Sequence, residues 1–221
     1  LKAPRTCRWW LKPSTPPTTL PTVDVASGGT LTVQTPAGDP DGIGLSIDGD
    51  LVQLSGTLAV ETTVEVSGTS RFEGGALAGG GELDVMSVEF AGGTAAAPPQ
   101  MNVAGDWTSD AAFAPQSGLV VFDGSTTQAL SVAGPGFFDL RVDPGADVDG
   151  DGGLGVGGEF DLDGSLALLG PLDVDSRMGG EGAMSLGGDD GHFGGDFEFD
   201  GEISGVGMFV FDSPGDAFLL T

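Results

Sequence analysis

Three aspartates in the segment DVDGDGG have a spacing that suits metal binding. Asp147, Asp149 and Asp151 alternate along the chain, and Gly152 follows them. A calcium loop places oxygen ligands at its first, third and fifth positions and glycine at its sixth, because a hard cation needs several carboxylates in a sharp turn. The twelfth position holds Gly158 instead of glutamate. The pattern therefore indicates a calcium-binding turn that is not an EF-hand, and a solvated acidic turn is the alternative. Calcium is the single cofactor that the sequence suggests.

The other reactive residue types do not form a catalytic signature. His192 is the only histidine and Cys7 the only cysteine, and no serine lies in a nucleophile-elbow motif. The glycine strings lack the lysine and the following helix of a phosphate loop. We expect no enzymatic activity. A polysaccharide-cleaving enzyme is a rival interpretation, but it needs basic side chains beside its acids, and the chain beyond residue 12 has only Arg71, Arg141 and Arg177.

Charge is distributed very unevenly along the chain. Seven basic residues face 33 acidic residues, which gives a formal net charge of −26. Four of the basic residues lie within the first 12 positions, where there is no acid. An acidic body of this kind repels phosphate backbones, so we predict no nucleic-acid binding. No run of 18 apolar residues exists, so we predict no membrane insertion. Cations or basic partner segments are the ligands that this charge attracts.

The elements that position these residues are predicted to be short β-strands. Glycine accounts for 41 of the 221 residues, and apolar residues alternate with polar ones over three to six positions between Gly, Asp and Ser. Such alternation is typical of half-buried strands, and no helical periodicity is present. One strand-and-turn motif recurs at irregular intervals, at 118–124, 158–164, 195–201 and 207–213. Runs that supply two or three inward residues for each face include Leu166, Leu168, Leu169, Leu172 and Val174. These features favour an all-β solenoid with coils of uneven length, and an antiparallel β-sandwich or jelly roll is the alternative.

The chain divides into an arm at residues 1–22 and an acidic body at residues 23–221. Four prolines lie between residues 12 and 21, which predicts an extended segment. A solenoid has two open ends that must be capped or paired, and tryptophan and arginine are favoured interface residues. The residues that we predict at contacts between copies are Arg5, Arg8, Trp9 and Trp10 in the arm, with Phe209, Phe211, Phe218 and Leu219 near the other end.

The central part of the body resembles a known kind of repeat protein. The segment at 102–148 contains the runs VAGDW, GLVVFDG and FDLRV, with Phe113 and Gln128 between them. These runs are similar to repeat units of secreted bacterial β-solenoid proteins that are adhesin-like or surface-structural, and the similarity extends over about residues 25–221. The resemblance implies an elongated scaffold at the cell exterior and no catalytic residue.

Together these observations predict an extracellular or cell-surface structural protein. Its copies would join head to tail into a filament or surface layer, because a contact between unlike ends that is not closed by symmetry continues indefinitely. The partner would thus be another copy of the same chain. The alternative is an adhesin stalk or binding module that presents loops to glycans or host proteins.

Overall fold

The computed structural model describes residues 7–8, 19–20, 23–25, 30–33, 43–92, 95–96, 100–110, 113–114, 117–134, 136–205 and 207–212. Over these ranges the chain forms 28 strands and no helix. It follows that none of the residues described forms a helix long and apolar enough to cross a membrane.

The strands are short, and most contain two to five residues. The first nine are β1 (Cys7–Arg8), β2 (Thr19–Leu20), β3 (Val23–Val25), β4 (Thr30–Val33), β5 (Ile43–Ile47), β6 (Leu51–Gln53), β7 (Thr57–Val60), β8 (Thr63–Phe72) and β9 (Ala76–Ala78). The next nine are β10 (Glu82–Phe90), β11 (Ala95–Ala96), β12 (Gln100–Val103), β13 (Trp107–Ser109), β14 (Phe113–Ala114), β15 (Leu119–Phe122), β16 (Thr127–Val132), β17 (Asp139–Val142) and β18 (Asp147–Gly150). The last ten are β19 (Leu154–Val156), β20 (Glu159–Leu162), β21 (Ser165–Leu168), β22 (Leu172–Val174), β23 (Arg177–Gly180), β24 (Ala183–Ser185), β25 (Gly191–Phe193), β26 (Asp196–Phe199), β27 (Glu202–Ser204) and β28 (Phe209–Phe211).

These strands stack into three columns, which are the three faces of a β-solenoid. The first face contains β1, β4, β7, β9, β11, β14, β19, β22, β25 and β28. The second contains β2, β5, β12, β15, β17, β20, β23 and β26 with the first halves of β8 and β10. The third contains β3, β6, β13, β16, β18, β21, β24 and β27 with the second halves of β8 and β10. Every pair is parallel, which confirms the predicted solenoid and excludes the antiparallel sandwich.

Aligned apolar residues fill the interior. On the second face one inward column holds Leu45, Val64, Leu83, Met101, Val120, Leu140, Phe160, Met178 and Phe197 in consecutive register. All but the last of these are buried. Each turn of the solenoid, or rung, buries its inward side chains against the rungs on both sides, so a strand of four residues is sufficient. Full burial of one Leu or Val contributes about 1.5–3 kcal/mol.

Aromatic side chains form a cluster within this interior. Trp107 is fully buried, and its ring centroid lies 5.0 Å from that of Phe137, 5.2 Å from Phe113 and 5.3 Å from Phe90. Edge-to-face and tilted contacts of this length are the favoured geometries of aromatic pairs. The ring centroid of Trp107 also lies 6.4 Å from that of Phe122 on the second face, so Trp107 joins all three faces of the solenoid.

The corners between faces depend on glycine and on buried amide side chains. Gly180 has a φ of 113°, and a Cβ at this position would collide with the Leu162 carbonyl oxygen of the preceding rung. At another corner the buried Gln128 donates from Nε2 to the carbonyl oxygens of Val103 (2.8 Å) and Gly105 (2.9 Å). Its Oε1 accepts a hydrogen bond from the Gly124 backbone at 3.1 Å. The side chain thus bonds three backbone groups of two successive rungs, of which the Val103 carbonyl oxygen also accepts from the Asp123 N–H at 3.1 Å.

Candidate functional site

Many aspartates of the body have a structural role that links one rung to the next. Asp139 accepts a hydrogen bond from the Glu159 backbone N–H at 2.7 Å, and Asp50 accepts one from Thr69 at 2.9 Å. Asp163 accepts in the same way from Glu181 at 3.2 Å. Some of the acidic side chains therefore accept hydrogen bonds from backbone N–H groups at the corners of the solenoid.

The three aspartates of the predicted calcium turn lie on and just after β18. Asp147 and Asp149 are exposed on the third face, while Val148 between them is buried. Asp147 accepts a hydrogen bond from the Thr127 hydroxyl at 2.8 Å, and Asp151 accepts one from a hydroxyl of β16 at 3.1 Å. Across the ranges that the structure describes, no group of three or more His, Cys, Asp or Glu side chains is arranged to hold a metal ion. Calcium binding at Asp147, Asp149 and Asp151 stays a prediction.

The basic residues of the body are all engaged with acids. Arg71 contacts Glu73 at 3.0 Å, Arg141 contacts Asp143 at 2.6 Å, and Arg177 contacts an acid of β26 at 3.2 Å. Each pair is partly exposed to solvent. Pairing of this kind neutralises local repulsion on a strongly acidic surface, although each pair contributes little free energy of its own.

Of the predicted contact residues, Arg8, Phe209 and Phe211 fall in the described part of the chain. Arg8 belongs to β1, which pairs in parallel with β4 through the registers Cys7–Leu31 and Arg8–Thr32. The predicted arm also supplies β2, which pairs with β5. The described strands of the arm thus lie in the first rung of their own chain. Five predicted contact residues lie outside the described residues: Arg5, Trp9, Trp10, Phe218 and Leu219.

Strands β26, β27 and β28, here called the C-terminal rung, form the most exposed part of the described interior. Phe197, Phe199, Ile203 and Phe209 are only partly buried, whereas the equivalent Phe160 and Leu162 of an inner rung are fully buried. The partly exposed rings contact one another, as in the pair of Phe197 and Phe211 with centroids 5.3 Å apart.

Acidic side chains and strand edges surround this apolar centre. Asp196, Glu198 and Glu202 alternate with the apolar residues of the C-terminal rung and are exposed. Among the described strands, β26 pairs only with β23, and β27 pairs only with β24. No described strand occupies their second edges, and an edge of this kind accepts a further parallel strand in β-strand addition.

A second acidic surface was not recognised in the sequence. A groove of about 560 Å³ along the second face is lined by Glu65, Asp84, Asn102 and Asp123 with neighbouring residues of five successive rungs. Asn102 donates from Nδ2 to Asp84 Oδ1 at 2.5 Å and to Glu82 Oε1 at 2.6 Å. The sequence does show that these residues occupy outward positions of alternating strands. It does not show that they lie side by side on one face, because that depends on the register between rungs.

Two carboxyl groups in this groove have perturbed protonation. Burial raises the pKa of Asp84 above its ordinary 3.8, and nearby Glu82, Glu65 and Asp123 raise it further against the hydrogen bond from Asn102. Burial also raises the pKa of Asp123, and Asp143 adds to the effect while Arg141 opposes it. Both groups thus lie in surroundings that disfavour the ionised form.

We expect Asp84→Asn and Asp123→Asn each to stabilise the protein at neutral pH. The folded pKa of each group exceeds its unfolded value, so at pH values between these two pKa values the folded state binds more protons than the unfolded state. The free energy of unfolding therefore rises as pH falls through the folded pKa towards 3.8. The amide removes this penalty at neutral pH. Urea unfolding at neutral and mildly acidic pH measures the gain, which should shrink on acidification.

Asp161 provides the matched control for this pair of variants. It occupies the same outward column as Asp84, since Asn102, Val121 and Arg141 connect the two positions in register. Asp161→Asn should change the unfolding free energy by no more than about 0.5 kcal/mol. A loss of stability in both Asp84→Asn and Asp123→Asn at neutral pH would contradict the raised pKa of these two carboxyl groups.

Comparison of the chain with protein-family models, with curated proteins and with solved structures found no match. The fold therefore rests on the strand pairing described above, and the function must be inferred from the surfaces.

Proposed function

We propose that this protein is an extracellular structural protein whose copies join head to tail into a filament or surface layer. The N-terminal arm of one copy would meet the C-terminal rung of the next. The observation that carries the proposal is the C-terminal rung itself. It combines edges of β26 and β27 that no described strand pairs with, and partly exposed Phe197, Phe199 and Ile203.

Strand geometry supports a contact between unlike ends. The first rung pairs on one side only among the described strands, through β1 with β4, β2 with β5 and β3 with β6. A second copy placed further along the solenoid axis in the same direction would present these strands parallel to β26 and β27. Such a contact adds one more rung in the pattern that the chain already uses, and it leaves a free end for the next copy.

Charge supports the same contact. The C-terminal rung carries exposed Asp196 and Glu202, and the first 12 residues carry four basic residues without an acid. Opposite charges at the two ends favour head-to-tail encounter and disfavour contacts between acidic flanks. Covering the aromatic side chains supplies hydrophobic free energy that the charges do not.

Three further observations support the proposal, two for a non-enzymatic role and one for a location outside the cell. The described basic residues of the body are held in ion pairs, and the interior is packed with aligned apolar side chains. The resemblance of residues 102–148 to secreted bacterial repeat proteins supports the location. Calcium bound by Asp147, Asp149 and Asp151 would stiffen the third face within the same proposal.

The test is to introduce charge into the C-terminal rung. We expect the purified protein to show a weight-average mass that rises with concentration, and filaments by electron microscopy. Ile203→Glu places a carboxylate among the exposed apolar residues and should weaken association by about tenfold or more. Sedimentation velocity measures the change, and circular dichroism verifies the fold.

The matched control is Leu169→Glu, which adds the same charge at a corner residue that is 74% exposed and lies outside the C-terminal rung. It should associate as the parent protein does. Removal of residues 1–20 should also abolish association. A monodisperse monomer at high concentration would overturn the proposal in favour of the adhesin-stalk alternative.

A further inference from the structure

The only histidine of the chain lies between two carboxylates that come from neighbouring rungs. His192 on β25 places Nδ1 3.2 Å from Asp173 Oδ1 and Nε2 2.9 Å from Asp212 Oδ2. Asp173 belongs to β22, and Asp212 follows β28 directly. One imidazole ring thus spans three consecutive rungs of the first face.

Strand register explains why these residues meet. Asp173 pairs with His192 and His192 pairs with Val210, so the three rungs are aligned at this position. Asp212 lies two residues after Val210 and therefore projects to the same side of the sheet. Its backbone N–H donates to the Phe193 carbonyl oxygen at 3.0 Å, which ends the pairing of β28 with β25.

Both contacts can be hydrogen bonds only when the ring is protonated. A neutral imidazole has one N–H donor and one acceptor nitrogen, whereas the imidazolium ion has two donors. A carboxylate has only acceptors, so a neutral ring loses one of the two bonds. The arrangement with a carboxylate at each nitrogen is therefore matched to the charged form.

The electrostatic surroundings favour that charge. The hydrogen bond to Asp173 raises the pKa of His192 above 6.5, and the charges of Asp212 and Asp173 add to this effect while partial desolvation opposes it. Asp190, which precedes β25, and Asp175, which follows β22, form no ion pair with the ring. The three side chains are 42–64% exposed, so salt should weaken their interaction.

We propose that Asp173, His192 and Asp212 form a proton-operated clamp that fastens β28 to the two preceding rungs. The clamp holds when His192 is charged and loosens when the ring loses its proton. It is a property of one face of the solenoid, and it does not depend on whether copies of the protein associate.

The direction of the pH dependence follows from the raised pKa. A group whose folded pKa exceeds its unfolded value stabilises the fold fully below the unfolded pKa. That stabilisation disappears as pH rises through the folded pKa of His192. The pH range over which it is lost therefore begins near 6.5 and extends upward. The loss is local, because only β28 and the residue after it are held by this contact.

The first test is a titration of His192 by proton NMR. The chain has a single histidine, so its ring protons give one assignable signal. We expect a pKa above 6.5 in the folded protein, a lower pKa in Asp173→Asn and in Asp212→Asn, and a value near 6.5 in urea. A pKa at or below 6.5 in the folded protein would overturn the clamp.

The second test measures whether the proton controls β28. After correction for intrinsic exchange, protection of the Asp212 amide should fall by about two- to five-fold between about pH 5.5 and pH 8.5. The Asp163 amide, which donates to Val142 in an inner rung at 2.9 Å, should keep its protection. The pH dependence at Asp212 should disappear in His192→Gln and should shrink in high salt.

Retention of the same pH dependence in His192→Gln would refute the proposal, and so would an equal change at Asp163. Both measurements are made on monomeric protein at low concentration. Failure of head-to-tail association would therefore leave the clamp unaffected, and failure of the clamp would leave association unaffected.

Discussion

Trp107→Ala is expected to lower the free energy of unfolding by about 3–5 kcal/mol, which is among the largest effects available from one substitution in this fold. The indole is fully buried and contacts rings from β10, β14 and β15 and from Phe137. Its removal leaves a cavity whose lining belongs to all three faces, so no single strand can move inward to fill it. Urea unfolding followed by far-UV circular dichroism measures the loss.

Two further variants separate packing from other effects at this position. The buried Trp107 Nε1 has no hydrogen-bond partner in the part of the chain that the structure describes, so Trp107→Phe removes an unsatisfied donor while it keeps most of the ring volume. It should therefore cost clearly less than Trp107→Ala. Phe138→Ala is the control, because that ring is 38% exposed and should cost about 1 kcal/mol or less. Equal losses for Trp107→Ala and Phe138→Ala would show that the aromatic centre is not what holds the rungs together.

Gln128→Leu is expected to cost about 2–5 kcal/mol although it keeps the side-chain size and adds apolar surface. The substitution leaves the carbonyl oxygen of Gly105 and the N–H of Gly124 without this partner, whereas the Val103 carbonyl oxygen keeps its bond from the Asp123 N–H. Each unsatisfied buried group costs about 1–3 kcal/mol, less where water can reach it. Thermal and urea unfolding both report the change.

Gln100→Leu is the matched control for this substitution. Gln100 is a half-buried outward residue whose amide donates to Glu82 at 2.9 Å and to Asn102 at 3.0 Å. Water can replace both partners, so the expected loss is below about 1 kcal/mol. A result in which Gln128→Leu is as mild as Gln100→Leu would mean that the corner readily admits water or rearranges.

The sequence was sufficient for the class of fold because the solenoid uses local signals. The motif at 158–164 became β20 and its corner, and the motif at 195–201 became β26 and its corner. Alternation of apolar residues identifies a strand, and Asp-Gly identifies the turn after it. The same motif at 207–213 became β28, which lies on the first face and not on the second. Local patterns therefore specified strands without specifying faces.

The remaining features depend on which rungs align, and a single sequence contains no record of that. Leu169 fits the apolar run that predicts inward residues, but it lies at a corner and is 74% exposed. The acidic groove forms because Glu65 and Asp84 share one outward column, and the role of Gln128 depends on carbonyl groups more than 20 residues away. The two carboxylate partners of His192 became visible only with the register of β22, β25 and β28.

The uniform direction of the strands has a consequence for symmetry. Since every pairing in the stack is parallel, the molecule is directional, and its two ends cannot be exchanged by any rotation. A two-fold axis that brought like ends together would oppose the strands antiparallel, against the hydrogen-bond pattern that each rung presents. A row of such molecules assembled in register would therefore point one way along its whole length, with a leading tip and a trailing tip of different chemistry.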